Sequence, residues 1–194
     1  MLNRGITFGQ VTRWNLGYAV DGRLANRIVF PCIDFDGNMA SYSARAIDGT
    51  QPRYLTPDPR ENPDPTVVFG QNHWTDHTCV VVTEGAINAL ACERAGARNV
   101  AALSGSPIAP LDVSKGRPAT VPMSILVVVQ KLSTFGNILL AVDPDKAGDK
   151  VFDAIRSLGR WKTVARVAIP DGQDAATLPR DDLKQRLLDA GLNY

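Results

Sequence analysis

Short apolar runs, each followed by a stretch with helical spacing, constrain this chain most strongly. The run CVVVT at 79–83 has no polar alternation, as expected of a strand that is covered on both faces. Residues 86–95 follow it with apolar positions at helical spacing, and Gly96 predicts the end of that helix. Such an alternation predicts an α/β domain with a parallel sheet, right-handed crossovers and helices on both faces. The remaining predicted strands are 99–103, 138–142 and 163–169, and the remaining predicted helices are 123–135, 147–158 and 180–190.

The first third of the chain has an antiparallel pattern instead. Strand-like runs at 27–35 and 38–47 are joined through Asp36-Gly37, a dipeptide that favours a tight hairpin because it tolerates positive φ. Five prolines between residues 52 and 65 exclude a helix there and predict a surface loop. The predicted fold class is therefore α/β, α+β overall: a parallel-sheet domain preceded by a small, mixed and largely antiparallel subdomain, with a boundary near residue 70.

Composition places the chain among ordinary globular proteins. Of its 194 residues 44% are hydrophobic and 21% charged, and no apolar run approaches the ~20 residues of a membrane span. Residues 1–10 lack the features of a secretory signal, so we expect a cytoplasmic protein. The net charge of +1 does not decide nucleic-acid binding, since acidic residues elsewhere can offset a basic groove. Three cysteines far apart in apolar runs predict reduced core residues: Cys32, Cys79 and Cys92.

Acidic residues directly follow two of the predicted strands. Glu84 comes after CVVVT, and Asp143 and Asp145 come after ILLAV, with Pro144 between them. Because the carboxyl ends of parallel strands meet at one edge of the sheet, the three carboxylates converge if the two strands are neighbours. One carboxylate in such a cluster would take up a proton unless a divalent cation compensates the charge. Hard oxygen ligands of this kind suit Mg²⁺ shared with substrate phosphates, which points to phosphoryl-transfer chemistry.

Helix capping is the other explanation for these acidic residues. Asp145 could cap a helix that begins near Lys146, and Glu84 could lie at the positive end of a helix that begins near Gly85. Capping explains each residue singly but does not explain Asp143. The spacing alone leaves the metal site and the capping explanation open.

Two segments resemble the signature of TOPRIM domains, the acidic α/β module of topoisomerases, DnaG-type primases, OLD-family nucleases and RecR-like repair proteins. They are VVVTEGAINAL (80–90) and LLAVDPDKAG (139–148). Further segments resemble, in the same order, the RNA-polymerase core of bacterial DnaG-type primases. These are Arg4-Gly5-Ile6, WNLGYA (14–19), NRIVFPCIDFDGNMASYSAR (26–45), PRYLTP (52–57), VFG (68–70) and IPDGQDAATL (169–178).

The resemblance implies a DNA primase catalytic core that makes short RNA primers by metal-dependent nucleotidyl transfer. Its substrates would be a single-stranded DNA template and NTPs, and its partner a replicative helicase or a separate zinc-binding or helicase chain. It would act in the cytoplasm of a bacterial cell or of the host of a virus or mobile element. It would have an amino-terminal subdomain (1–72), a TOPRIM domain (73–175) and a carboxy-terminal helix on the core (176–194).

The resemblance also implies roles for five acidic residues. Glu84, Asp143 and Asp145 match the catalytic carboxylates that hold Mg²⁺ (or Mn²⁺). Asp171 and Asp174 match a further acidic pair near that metal site.

Three basic residues are expected to bind nucleic acid or nucleotide. Arg45 and Arg53 match basic positions that line the groove for template and nucleotide, and Lys146 lies within the acidic motif. Arginine suits this role as a bidentate phosphate partner. A solvated charge at a strand end is the other explanation for each arginine.

The chain also departs from the DnaG pattern. Asn88 stands four residues after Glu84, where these primases carry an aspartate, and the segment 107–133 is longer than the family's link. Three isolated cysteines cannot form the four-ligand zinc ribbon of such primases. His73 and His77 are the remaining zinc candidates, but they lack a nearby glutamate or Cys-x-x-Cys.

Two other functions stay open on this pattern. The acidic cluster alone predicts a TOPRIM metal-dependent nuclease. The missing carboxylate and zinc ribbon favour a non-catalytic nucleic-acid-binding subunit. The chain contains no G-x-x-x-x-G-K-[ST] loop, so a helicase motor is not predicted.

Overall fold

The computed structural model describes residues 4–61, 64, 66–103 and 123–192, and its first sheet is antiparallel. The hairpin turns near Gly37 with φ of 88°, as the Asp-Gly dipeptide predicts. Helix α1 and the two outer strands were not predicted, since two to six residues are too few to show a periodicity. The elements are α1 (Phe8–Arg13), β1 (Gly17–Ala19), β2 (Arg27–Ile33), β3 (Met39–Ala46) and β4 (Tyr54–Leu55), with strand order β1-β2-β3-β4.

The second sheet is parallel, which confirms the predicted fold class. Three of its strands end earlier than predicted, because the apolar runs continue beyond the strands as buried chain. Ala141 donates its backbone N–H to the carbonyl of Val82 at 2.9 Å, and Val142 is still buried. The strands are β5 (Cys79–Thr83), β6 (Val100–Ala102), β7 (Asn137–Leu140) and β8 (Thr163–Arg166), in the order β6-β5-β7-β8.

Four helices in the described ranges flank the parallel sheet, and each of them was predicted from the sequence. Residues buried on one face of the sheet lie in a core with α2 and α5, and those on the other face lie with α3 and α4. None of the helices in the described ranges is long and apolar enough to cross a membrane. Of the segment 107–133, which is longer than the link in DnaG-type primases, residues 107–122 lie outside the described residues. The helices are α2 (Ala86–Arg94), α3 (Met123–Leu132), α4 (Lys146–Leu158) and α5 (Arg180–Asp189).

Alternate residues of β5 enter different cores, as expected of a strand covered on both faces. Val81 packs in the core that contains α2, whereas Val80 and Val82 pack in the core that contains α3. The core with α2 also contains Phe30 of the first sheet, so the two sheets share one apolar cluster. The cysteines are buried and unpaired, as predicted.

The segment between the two sheets is fastened to the edge strand β6. Phe69 accepts a backbone hydrogen bond from Ala102 at 3.0 Å, and its ring stacks on Trp14 with centroids 4.9 Å apart. Gly70 follows with φ of 100°, and a Cβ there would overlap the carbonyl oxygen of Val100. The ring of Phe69 also lies edge-on to that of Phe30 on β2, with centroids 6.3 Å apart, so this segment contacts both sheets.

Candidate active site

Glu84 and Asp143 lie together because the strands that precede them are neighbours. β5 pairs with β7 in parallel, with Val82 opposite Leu140. Glu84 follows the end of β5 directly, and one of its carboxylate oxygens accepts the backbone N–H of Asp143 at 3.2 Å. Because β5 and β7 are neighbours, Glu84 and Asp143 converge as the sequence predicted.

A cavity of about 370 Å³ opens at this edge of the parallel sheet, between it and the first sheet. Its size is within the range of small-molecule sites. One side carries acidic and amide groups and the other carries arginines, so the cavity has opposite charges on its two walls. The lining residues are Ser43, Arg45, Arg53, Tyr54, Thr56, Glu84, Gly85, Ile87, Asn88, Asp143 and Asp174.

The carboxylates of this cavity repel one another. Burial raises the pKa of Glu84 above its usual range, and the charges of Asp143 and Asp145 raise it further. Burial also raises the pKa of Asp143, with further contributions from Asp174 and Asp145. A positive charge placed among them would relieve this repulsion.

Asp145 caps helix α4. Its Oδ1 accepts the backbone N–H groups of Ala147 at 2.8 Å and of Gly148 at 2.9 Å. Asp145 is exposed and is not among the residues that line the cavity. Helix capping thus accounts for the hydrogen bonds of Asp145, while its charge still raises the pKa of Glu84 and of Asp143.

Asp174 joins the cavity, whereas Asp171 does not. Asp174 lines it and forms an ion pair with Arg4 at 3.2 Å, and its buried Oδ1 has no hydrogen-bond partner among the described residues. Asp171 is exposed and lies outside the lining. Asn88 accepts the backbone N–H of Ala176 at 3.2 Å, so α2 holds the turn that carries Asp174.

The donor set suits a divalent cation in its chemistry but is not assembled around one. Glu84, Asp143 and Asp174 supply the hard carboxylate oxygens that such a cation prefers. The buried Oδ1 of Asp174 accepts no hydrogen bond from the described residues and is therefore available as a metal ligand. Within the described ranges, no three His, Cys, Asp or Glu side chains stand close enough together to hold a metal ion. Joint coordination would therefore require these side chains to reorient.

The basic wall comes from the first sheet. Arg45 on β3 donates to the hydroxyl of Tyr54 at 2.7 Å, and its guanidinium lies 5.4 Å from the centroid of that ring. Arg53 lines the same cavity, whereas Lys146 is exposed and outside the lining. Both arginines predicted from the sequence thus face the acidic strand ends.

Arg166 was missed by the sequence reasoning. It ends β8 opposite Leu140, so strand order alone brings it to the acidic edge. One nitrogen donates to the backbone carbonyl of Asp143 at 2.9 Å, and another pairs with Asp149. The signal that could have found it is a basic residue at the end of the last parallel strand.

The two histidines do not form a zinc site in the described residues. The His73 ring lies against Trp14, with centroids 4.4 Å apart, and His77 hydrogen-bonds the hydroxyl of Thr134 at 3.1 Å.

Comparison with known proteins agrees with this architecture. A family model described as Toprim-like matches residues 81–178. A DNA primase from Clostridium acetobutylicum is 24% identical over 178 residues, which cover 88% of this chain and 27% of that primase. The chain thus spans about a quarter of the length of this relative.

Solved primase structures share the fold over almost the whole chain. The Aquifex aeolicus primase, with its zinc-binding and RNA polymerase domains, superposes with a TM-score of 0.73 at 19% identity, covering 98% of this chain and 54% of that one. A DnaG primase catalytic domain bound to ssDNA gives a TM-score of 0.69 at 18% identity, covering 97% of this chain and 72% of that one.

Proposed function

The chain belongs to the Toprim-like family, and from this premise we propose that it is the catalytic core of a DNA primase. It would synthesise short RNA primers on a single-stranded DNA template. The observation that carries the proposal is one cavity with carboxylates on one wall and two arginines, Arg45 and Arg53, on the other. Such a cavity can hold a nucleoside triphosphate between a cation-binding edge and a phosphate-binding edge.

The residues of the two walls have different tasks in this proposal. Arg45 and Arg53 bind phosphates of the template or the incoming nucleotide, and the Tyr54 hydroxyl helps to orient Arg45. Glu84 and Asp143, joined by Asp145 or Asp174, would hold Mg²⁺ or Mn²⁺. When bound, the cation would supply charge neutralisation for the primer 3′-hydroxyl and the pyrophosphate leaving group.

The partners follow from the same proposal. The template is single-stranded DNA, as in the related catalytic domain solved with ssDNA, and the substrates are NTPs. A replicative helicase, or a separate chain with a zinc-binding module, would deliver the template. In this proposal the amino-terminal primase-core subdomain spans residues 1–72, the TOPRIM domain spans 73–175 and the carboxy-terminal helix lies within 176–194. The protein would act in the cytoplasm of a bacterium or of a host cell.

Primer synthesis on a defined template tests the proposal. The chain is incubated with single-stranded DNA, NTPs and Mg²⁺ or Mn²⁺, and the products are resolved on a sequencing gel. We expect short RNA that disappears in Asp143→Asn, while Lys184→Gln, an exposed lysine on α5, synthesises normally. Absence of product on every template tried would overturn the proposal, and cleavage of DNA without NTPs would assign the site to a nuclease.

A non-catalytic nucleic-acid-binding subunit is the second candidate. It is favoured by Asn88, which stands where an acid is expected, and by the capping role that Asp145 already has. Salt-sensitive binding of single-stranded DNA, without metal-dependent synthesis or cleavage, would select this function.

A further inference from the structure

A basic surface lies at the carboxy-terminal end of α4, opposite the end that Asp145 caps. It is a groove of about 540 Å³ beside the start of β8, an edge strand of the parallel sheet. Helix α4 has 13 residues, so at about 1.5 Å per residue it separates Asp145 from this groove by about 20 Å. We call this surface the edge groove; it is lined by Arg156, Gly159, Arg160, Trp161, Lys162, Thr163 and Val164.

Cationic side chains dominate the edge groove, and none of the described residues that line it carries a carboxylate. Arg156, Arg160 and Lys162 are exposed, and none of them forms an ion pair within the described part of the chain. One cation in the last turn of a helix is ordinary, because it complements the helix dipole. Arg160 and Lys162, however, lie beyond Leu158, the last residue of α4.

Trp161 fixes the backbone between these two cations. Its indole N–H donates to the carbonyl of Leu132 at 3.3 Å, and its ring lies against Gly159, where any Cβ would overlap it. Trp161 packs against the core with α3, whereas its neighbours Arg160 and Lys162 are exposed. Because the backbone is held in this way, binding through these two charges would cost little backbone entropy.

We propose that the edge groove binds the phosphates of a single-stranded nucleic acid that also occupies the active-site cavity. Charge complementarity carries the inference: a phosphodiester chain has one negative charge per nucleotide, and the groove offers three cations without a competing acid in its lining. The identity of the strand rests on the proposed function, whereas the groove and its charges do not. The groove would extend the path of the strand away from the carboxylates.

The test measures how salt weakens binding of a fluorescent 30-nucleotide dT strand. Each phosphate contact to a single strand contributes about 0.7 to the slope of log K against log salt. The double variant Arg160→Gln/Lys162→Gln should therefore lower the magnitude of the slope by about 1.4 and weaken binding. The control Arg98→Gln/Lys184→Gln, which removes an exposed arginine before β6 and an exposed lysine on α5, should match the wild type, and circular dichroism should show that both variants are folded.

Each result decides for or against the proposal. A groove variant that binds dT with the wild-type affinity and slope overturns it and leaves the cations as protection of an edge strand. Binding of a poly-glutamate peptide that depends on the groove, with no groove-dependent binding of dT, overturns it in favour of an acidic protein segment. If the chain makes no primers but binds dT in a groove-dependent way, the groove proposal is supported and only the proposed primase activity is overturned.

Discussion

Gly148, in the first turn of α4, lies so close to Asp143 that a Cβ at residue 148 would overlap the backbone carbonyl oxygen of Asp143. The same Cβ would lie 3.2 Å from a carboxylate oxygen of Glu84. Helix α4 can start against these two acidic residues only because residue 148 has no side chain. The glycine of DPDKAG is thus part of the geometry of the site.

Gly148→Ala should destabilise the protein by about 1 to 2 kcal/mol, since the overlap outweighs the gain of about 1 kcal/mol from helix propensity. Gly9→Ala is the matched control, because Gly9 also lies in the first turn of a helix and a Cβ there would come no closer than 3.9 Å to a neighbouring atom. Urea unfolding of both variants measures the difference. Equal stability of the two would show that the chain at Asp143 moves aside without cost.

Substitutions of Asp145 separate its capping role from a metal-binding role. Asp145→Ala should lose the capping role and the metal-binding role, and loss of the cap should cost about 1 kcal/mol of stability. Asp145→Ser keeps a capping oxygen but removes the charge. We expect Asp145→Ser to retain stability and to bind Mn²⁺ more weakly than the wild type, measured by urea unfolding and by electron paramagnetic resonance. Wild-type Mn²⁺ affinity in Asp145→Ser would restrict Asp145 to capping.

Asp143→Asn should make the metal-free protein more stable at pH 7 and abolish its stabilisation by Mg²⁺. Burial raises the pKa of Asp143 above its ordinary value of 3.8, so between these two pKa values the folded state holds a proton that the unfolded state has lost. This contribution to stability therefore falls as pH rises from about 4 through the raised pKa, and the penalty persists above it. Solvent in the cavity limits this loss of folding stability to about 0.5 kcal/mol.

Thermal melts of the wild type and Asp143→Asn between pH 3 and pH 8 check this prediction. The difference between them should vanish near pH 3 and reach its full size at neutral pH. An Asp143→Asn protein that is less stable than the wild type at pH 7 without metal would show that repulsion does not dominate this carboxylate.

Two substitutions of Asn88 test how α2 holds the turn that carries Asp174. Asn88→Ala removes the acceptor of the Ala176 N–H, which is worth about 1 kcal/mol and should loosen that turn. Asn88→Asp keeps an acceptor and adds a carboxylate to the cavity. We expect the aspartate variant to bind Mn²⁺ more tightly and to be less stable without metal. Calorimetric titration of both variants decides, and weaker Mn²⁺ binding by Asn88→Asp would contradict this account.

Local patterns were sufficient for most of the secondary structure. The strand Cys79–Thr83 and the helix after it follow from apolar spacing over about 15 residues, and Gly96, with φ of 116°, follows the helix as predicted. Strands β1 and β4 were missed, because three and two residues carry no period and these strands exist only through pairing with β2 and β3.

The candidate site was only partly predictable. That Glu84 and Asp143 end strands could be read from the chain, but their contact depends on β5 lying beside β7. The segment IPDGQDAATL (169–178) gives no reason to distinguish Asp171 from Asp174, yet of these two only Asp174 lines the cavity. Residue Arg4 reaches Asp174 from the other end of the chain, which no local pattern encodes.

The sequence by itself determined the longer strands and helices and the acidic residues that follow two of the parallel strands, because backbone preferences and apolar spacing act over a few neighbouring residues. The tertiary structure decided which strand ends are adjacent, which carboxylates share a cavity and which arginines face them. Those relationships arise from pairing and burial between distant segments, whose free energy depends on the whole fold rather than on any short stretch of chain.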